Sequence, residues 1–109
     1  MLTSEVLSNL REYVKSVGGD FPSAINALVV FGSYARKNPK INSDLDIALL
    51  VGEGFGRSDR ANVREILNGF YESIDINLFC TTAEKLESAE SEFDANYWIK
   101  KEGELLWQR

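Results

Sequence analysis

Two short apolar runs, separated by a polar connection, limit what this chain can become. Ala27-Leu28-Val29-Val30-Phe31 is continuous and too short for a typical helix, and it reads as a buried strand. It ends abruptly at Gly32-Ser33. Asp44-Leu45-Asp46-Ile47-Ala48-Leu49-Leu50-Val51 begins polar and turns wholly apolar, as a second strand would with an exposed acidic head and a buried body. Residues 34–43 between them are polar, carry Arg36, Lys37, Pro39 and Lys40, and open with an expected short helix over residues 34–37.

The remaining elements fall around this pair. Thr3 or Ser4 can cap a first helix whose apolar stripe is Val6, Leu7, Leu10, Tyr13, Val14 and Val17, with Gly18-Gly19 as its stop. Gly52, Gly54 and Gly56 mark a turn, after which Ser58 caps a helix that buries Val63, Ile66, Leu67 and Phe70. Ile74-Asp75-Ile76-Asn77-Leu78-Phe79 alternates with period two, the mark of a third strand. Thr81 and Glu84 have capping-box spacing for a further helical region, with Glu84 to Asp94 as its solvated acidic face. Phe93, Tyr97 and Trp98 share one side of a helix ended by Gly103, and Leu105-Leu106-Trp107 forms a last short strand. The order α-β-β-α-β-α-β predicts an α/β (α+β) fold, a small mixed β-sheet with helices packed on it. It forms one domain over residues 1–109, without repeats or linkers.

Composition narrows the functions. Apolar residues make up 44% of the chain, enough for a core, and the formal net charge of −5 argues against a basic nucleic-acid interface. The start of the chain has no basic n-region, and no stretch approaches the roughly 18 apolar residues of a membrane span. Cys80 is the only cysteine, so no internal disulfide can form and a reducing, cytoplasmic setting is expected. Nothing nearby would activate its thiol, so it is expected to be a core residue. Histidine is absent, so a general base or metal ligand must be a carboxylate, lysine, tyrosine or cysteine.

The carboxylates have a meeting point. Asp44 and Asp46, two apart on one strand, point to the same face roughly 7 Å apart along the backbone, while Leu45 points into the core. A return helix of about 14 residues spans roughly 21 Å, near the length of the second strand, so a parallel crossover sets Asp75 beside the start of that strand. Only ten residues separate Ser33 from Asp44, so the Gly32-Ser33 turn comes to the same end of the sheet. Its amides, the Ser33 hydroxyl and the cations Arg36 and Lys37 suit phosphate oxygens. An anion cradle facing an acid cluster is electrostatically consistent when divalent cations lie between them. Magnesium with a nucleoside triphosphate meets both demands. Taken singly, a Gly-Ser pair is a turn, an Asp-x-Asp a solvated strand edge and Asp75 a surface residue. Jointly, three acids converging without a partner charge would cost stability unless they served a ligand. Tyr97, Trp98 and Trp107 read more simply as core or partner-facing residues, and Lys37 and Lys40 read equally well as loop solubilisers or as phosphate contacts. Asn77 shares the face of Asp75.

At these positions the sequence resembles the minimal nucleotidyltransferase (MNT) branch of the DNA-polymerase-β-like superfamily. That family's signature is Gly-Ser, ten residues, then Asp-x-Asp, and here it is Gly32-Ser33 followed by Asp44-Leu45-Asp46. Phe31-Gly32-Ser33-Tyr34-Ala35-Arg36 and Ser43-Asp44-Leu45-Asp46-Ile47 match the family's local text, and Asp75 matches its third carboxylate. Lys37 departs from it, standing where glycine commonly follows Ala-Arg. The resemblance implies that Asp44 and Asp46 hold magnesium ions and that Asp75 completes the site and takes a proton from an acceptor hydroxyl. Gly32, Ser33 and Arg36 would hold the β and γ phosphates of ATP. With no acceptor-binding domain readable, the acceptor is expected on another protein or a second copy. Many similar proteins are antitoxins that transfer AMP to a tyrosine of a HEPN-type ribonuclease toxin. That pairing is the expected function. The alternatives are a non-catalytic antitoxin that occludes its partner, and a homodimeric enzyme acting on a small-molecule hydroxyl.

Overall fold

Which face each strand buries decides how the layers stack. The structure, a computed structural model, describes residues 3–40, 42–70 and 74–109, with the side chains of residues 3 and 4 outside that description. The expected Thr3 or Ser4 cap falls there. The elements are α1 (Thr3–Val17), a 3-10 turn (Gly18–Asp20), β1 (Ile25–Phe31), α2 (Gly32–Ala35), β2 (Leu45–Val51) and α3 (Arg57–Asn68). They continue as β3 (Ile76–Thr81), α4 (Ala83–Ser88), α5 (Ala95–Glu102) and β4 (Glu104–Gln108).

The sheet has the order β3-β2-β1-β4. β1 runs antiparallel to both neighbours, whereas β2 and β3 are parallel from Leu45 opposite Ile76 to Leu50 opposite Thr81. The crossover through α3 is therefore the one expected. Leu28, Val30, Leu45, Ile47, Leu49, Ile76 and Leu78 face a core closed by Val6, Leu7, Leu10 and Val14 of α1 and by Val63 and Leu67 of α3. Burying each such side chain contributes about 1.5–3 kcal/mol. Tyr13 ties the two helices together, its hydroxyl donating to the Ile66 carbonyl at 2.6 Å. On the opposite face lie Val29, Phe31, Asp46, Ala48, Asn77 and Phe79 by strand alternation. α5 covers part of that face along β1. Asn77, on β3, stays exposed.

Several local expectations shift. α2 starts at Gly32, two residues before the expected helix, because Gly32 turns out of β1 at once with φ 74°. Ser58 lies inside α3. The cap is Gly56, whose N–H donates to Asp59 Oδ2 at 3.0 Å, and Phe70 packs beyond the helix end. β3 begins at Ile76, two residues later than the period-two run. Thr82 caps α4 by accepting from the Lys85 N–H at 3.2 Å. Thr81 instead ends β3, buried, with its hydroxyl donating to Asn96 Oδ1. The acidic stretch is not one helix face, since α4 stops at Ser88 and Asp94 caps α5 by accepting from the Asn96 N–H. Phe93 lies in the turn between them, 95% exposed, apart from the edge-to-face pair of Tyr97 and Trp98.

Candidate active site

Residue types and strand register build the site in layers. β2 emerges from its polar head with Asp44 just ahead of it and Asp46 as its second residue. Asp46 lies between Phe31 on β1 and Asn77 on β3. The Asn77 amide donates to Asp44 Oδ2 at 2.9 Å and to Asp46 Oδ1 at 3.2 Å, bridging the two carboxylates. Burial pushes the Asp46 carboxyl above the usual aspartate range, and the Asp44 charge adds to this. The Asn77 hydrogen bond and the Arg36 charge pull the other way.

Gly32 closes the near side. A Cβ there would run into Asp46 Oδ2, and φ 74° is a conformation L side chains rarely adopt. Glycine is thus required for the turn and for the free space beside the carboxylate. Ser33 follows in α2, half-buried, and its carbonyl accepts from the Asn38 N–H at 3.0 Å. Arg36 is exposed and pairs with Glu102 Oε2 at 3.2 Å. Lys37 turns away to Glu104.

Asp75 stands just before β3, exposed, with its carbonyl accepting from the Leu45 N–H at 2.8 Å. That bond sets it alongside Asp44, as the crossover argument requires. A cavity of about 590 Å³ opens here, lined by Asp44, Asp75 and Asn77 together with Ile74, Ile76, Arg64 and Asn68. Among the described residues, no three carboxylate or thiol side chains form a ready-made metal cluster. The donors at hand are the oxygens of Asp44 and Asp46, held on one face by Asn77, with Asp75 at the next strand. Such a hard, oxygen-only set fits a magnesium ion, and the raised Asp46 pKa marks a charge that a cation would relieve.

The bridging role of Asn77 was only partly legible. Its parity with Asp75 was visible, but the register that sets it opposite Asp46 was not. Arg64, Glu102 and Glu104 carried no signal at all, being helix or strand-end charges far from the motif in sequence.

A small mixed sheet with helices on both faces, a Gly-Ser turn and an Asp-x-Asp at the head of the neighbouring strand has the layout of a nucleotidyl-transferring enzyme. The chain belongs to the Polymerase beta, nucleotidyltransferase family, whose model matches residues 12–109. Among solved structures, it is similar to a toxin–antitoxin crystal structure with AMP-PNP, with TM-score 0.62 and 22% identity over 91% of this chain and 73% of the other. A second similar structure holds a tri-AMPylated HEPN toxin of Shewanella oneidensis with its MNT antitoxin, with TM-score 0.57 and 19% identity over 94% and 73%. A third, named as a candidate minimal nucleotidyltransferase, has TM-score 0.61 and 17% identity over 95% of each chain. Such likenesses show a common fold. No curated protein matches the chain in sequence.

Proposed function

We propose that this chain is an antitoxin that transfers AMP from ATP to a tyrosine hydroxyl of a HEPN-type toxin and thereby silences it. The observation that carries the reading is the pair Asp44 and Asp46, bridged by Asn77 and facing a Gly32 whose missing side chain keeps the space beside Asp46 free. Family membership supports nucleotidyl transfer, and the similar structures that hold HEPN toxin and MNT antitoxin support the partner.

In this reading Asp44 and Asp46 hold magnesium, with Asp75 completing the site. The metal's chemistry, when bound, is charge neutralisation on the oxygens that attack and leave at the α-phosphorus. Gly32, Ser33 and Arg36 orient the β and γ phosphates. Arg36 exchanges its exposed pairing with Glu102 for phosphate oxygens, a trade favoured by bidentate charge-assisted bonding. The acceptor oxygen attacks the α-phosphorus, the bond to the β-phosphate oxygen breaks, and pyrophosphate departs. Asp75, exposed in the 590 Å³ cavity, is placed to take the acceptor's proton.

The test is intact-mass analysis of a HEPN-type protein co-expressed with this chain, after incubation with this protein, ATP and magnesium. A gain of one or more AMP units, lost with Asp44→Asn, is expected. A toxin silenced at unchanged mass would replace catalysis by occlusion.

A further inference from the structure

The turn that carries Gly32 and Ser33 runs on into two consecutive cations, and both are met from one place in the fold. Arg36 Nη1 pairs with Glu102 Oε2 at 3.2 Å, and Lys37 Nζ with Glu104 Oε1 at 2.9 Å. Glu102 ends α5, Glu104 begins β4, and Gly103 alone stands between them. That junction is fixed on the sheet. A Cβ at Gly103 would lie 2.6 Å from Val29 Cγ1 and would strike the Ile99 carbonyl, to which the Gly103 N–H donates at 2.9 Å.

Lys37 is the one described residue other than glycine with positive φ, at 63°. Side chains are strained in that region and glycine enters it freely. The strain falls where it has a consequence: one residue on, the Asn38 N–H donates to the Ser33 carbonyl at 3.0 Å and closes the turn. The side chain of the strained residue is itself the one held by Glu104. The Glu104 carboxyl lies below the usual glutamate range, chiefly because Lys37 hydrogen-bonds to it, with Arg11 adding to the effect.

We propose that Glu104, at the junction of α5 and β4, braces the phosphate turn. In this brace Glu104, acting through Lys37, holds the turn in a conformation that glycine would take unaided, and is a positioning residue for nucleotide binding. The positioning role rests on the nucleotide-site reading above, whereas the brace itself does not.

Five proteins test it: the parent, Glu104→Gln, Lys37→Gly, the double variant, and Arg11→Gln as a control for the other partner of Glu104 at 3.2 Å. The first readout, without nucleotide, is hydrogen exchange at the Asn38 amide. The second is the Kd for magnesium with a non-hydrolysable ATP analogue. Glu104→Gln is expected to speed Asn38 exchange and weaken binding by about three- to fivefold each, the scale of a half-exposed ion pair. The same change in the Lys37→Gly background should do neither, and Arg11→Gln should leave both readouts at the parent's values. Unchanged exchange in Glu104→Gln overturns the brace, as does an equal effect with glycine at position 37. Altered exchange without nucleotide binding in any variant, the parent included, overturns the positioning role and the nucleotide-site reading but upholds the brace.

Discussion

Asp46 carries a charge that the fold partly withdraws from water and places near Asp44, with only an amide between the two. The raised pKa gives a sign. Relative to the unfolded chain, the protonated form is favoured, so the folded state is relieved of the penalty below the ordinary aspartate range. It bears the penalty as pH rises through the raised value. Asp46→Asn, which still accepts from Asn77, should therefore raise the Tm of the metal-free protein near neutral pH, by a small amount because the carboxylate is partly open to solvent. The advantage should vanish in acid. Thermal melts of both proteins from acid to neutral pH check this, and a constant offset across the range would refute it. At Gly32 the penalty is steric and conformational together. Gly32→Ala should cost about 1–2 kcal/mol in urea denaturation, chiefly for a side chain at positive φ, and weaken nucleotide binding by displacing the Asp46 carboxylate that its Cβ meets.

At the level of elements, β3 poses a problem the chain solves from α3. It is an edge strand, and its outward carbonyls would template pairing with another chain. Arg60 donates to the Leu78 carbonyl at 3.0 Å and Arg64 to the Ile76 carbonyl at 3.0 Å, occupying two of them. Removing both guanidinium groups, as Arg60→Ala with Arg64→Ala, should lower stability by about 1–3 kcal/mol. It should also produce species larger than the parent's in sedimentation velocity at high concentration. Sedimentation indistinguishable from the parent's would show that edge protection lies elsewhere. The α5–β4 junction has the opposite character, a place where nothing can be added. Gly103→Ala is expected to cost at least about 2 kcal/mol, since both the Ile99 carbonyl and Val29 would have to move.

For the whole molecule, the acid head of β2 and the cationic turn after β1 lie at one end of the sheet because β1 and β2 are antiparallel neighbours. In the proposed function, a ligand that is anion and cation at once engages both halves together. Magnesium with a non-hydrolysable ATP analogue, at a hundred times its Kd, should stabilise the fold by about 2.7 kcal/mol, and a chelator should remove the gain. Either component alone should give far less, and equal shifts from nucleotide with and without metal would refute the shared site. No helix among the described residues is long and apolar enough to cross a membrane.

The sequence by itself determined the layer architecture and the identity of the acidic and glycine-turn residues. Hydrophobic periodicity is local, and the length of the α3 return nearly equals that of β2. A parallel crossover therefore followed, and with it the placing of Asp75 beside Asp44. Element ends were less legible: capping at Gly56 and Thr82 depended on backbone hydrogen bonds that Ser58 and Thr81, equally good capping residues, did not make. Only tertiary structure set Asn77 between two aspartates, because sheet register depends on pairing across the chain rather than on neighbours in it. The same holds for Lys37. The chain shows a lysine where glycine is usual, but the carboxylate that meets it comes from β4, brought there by the packing of α5 on β1.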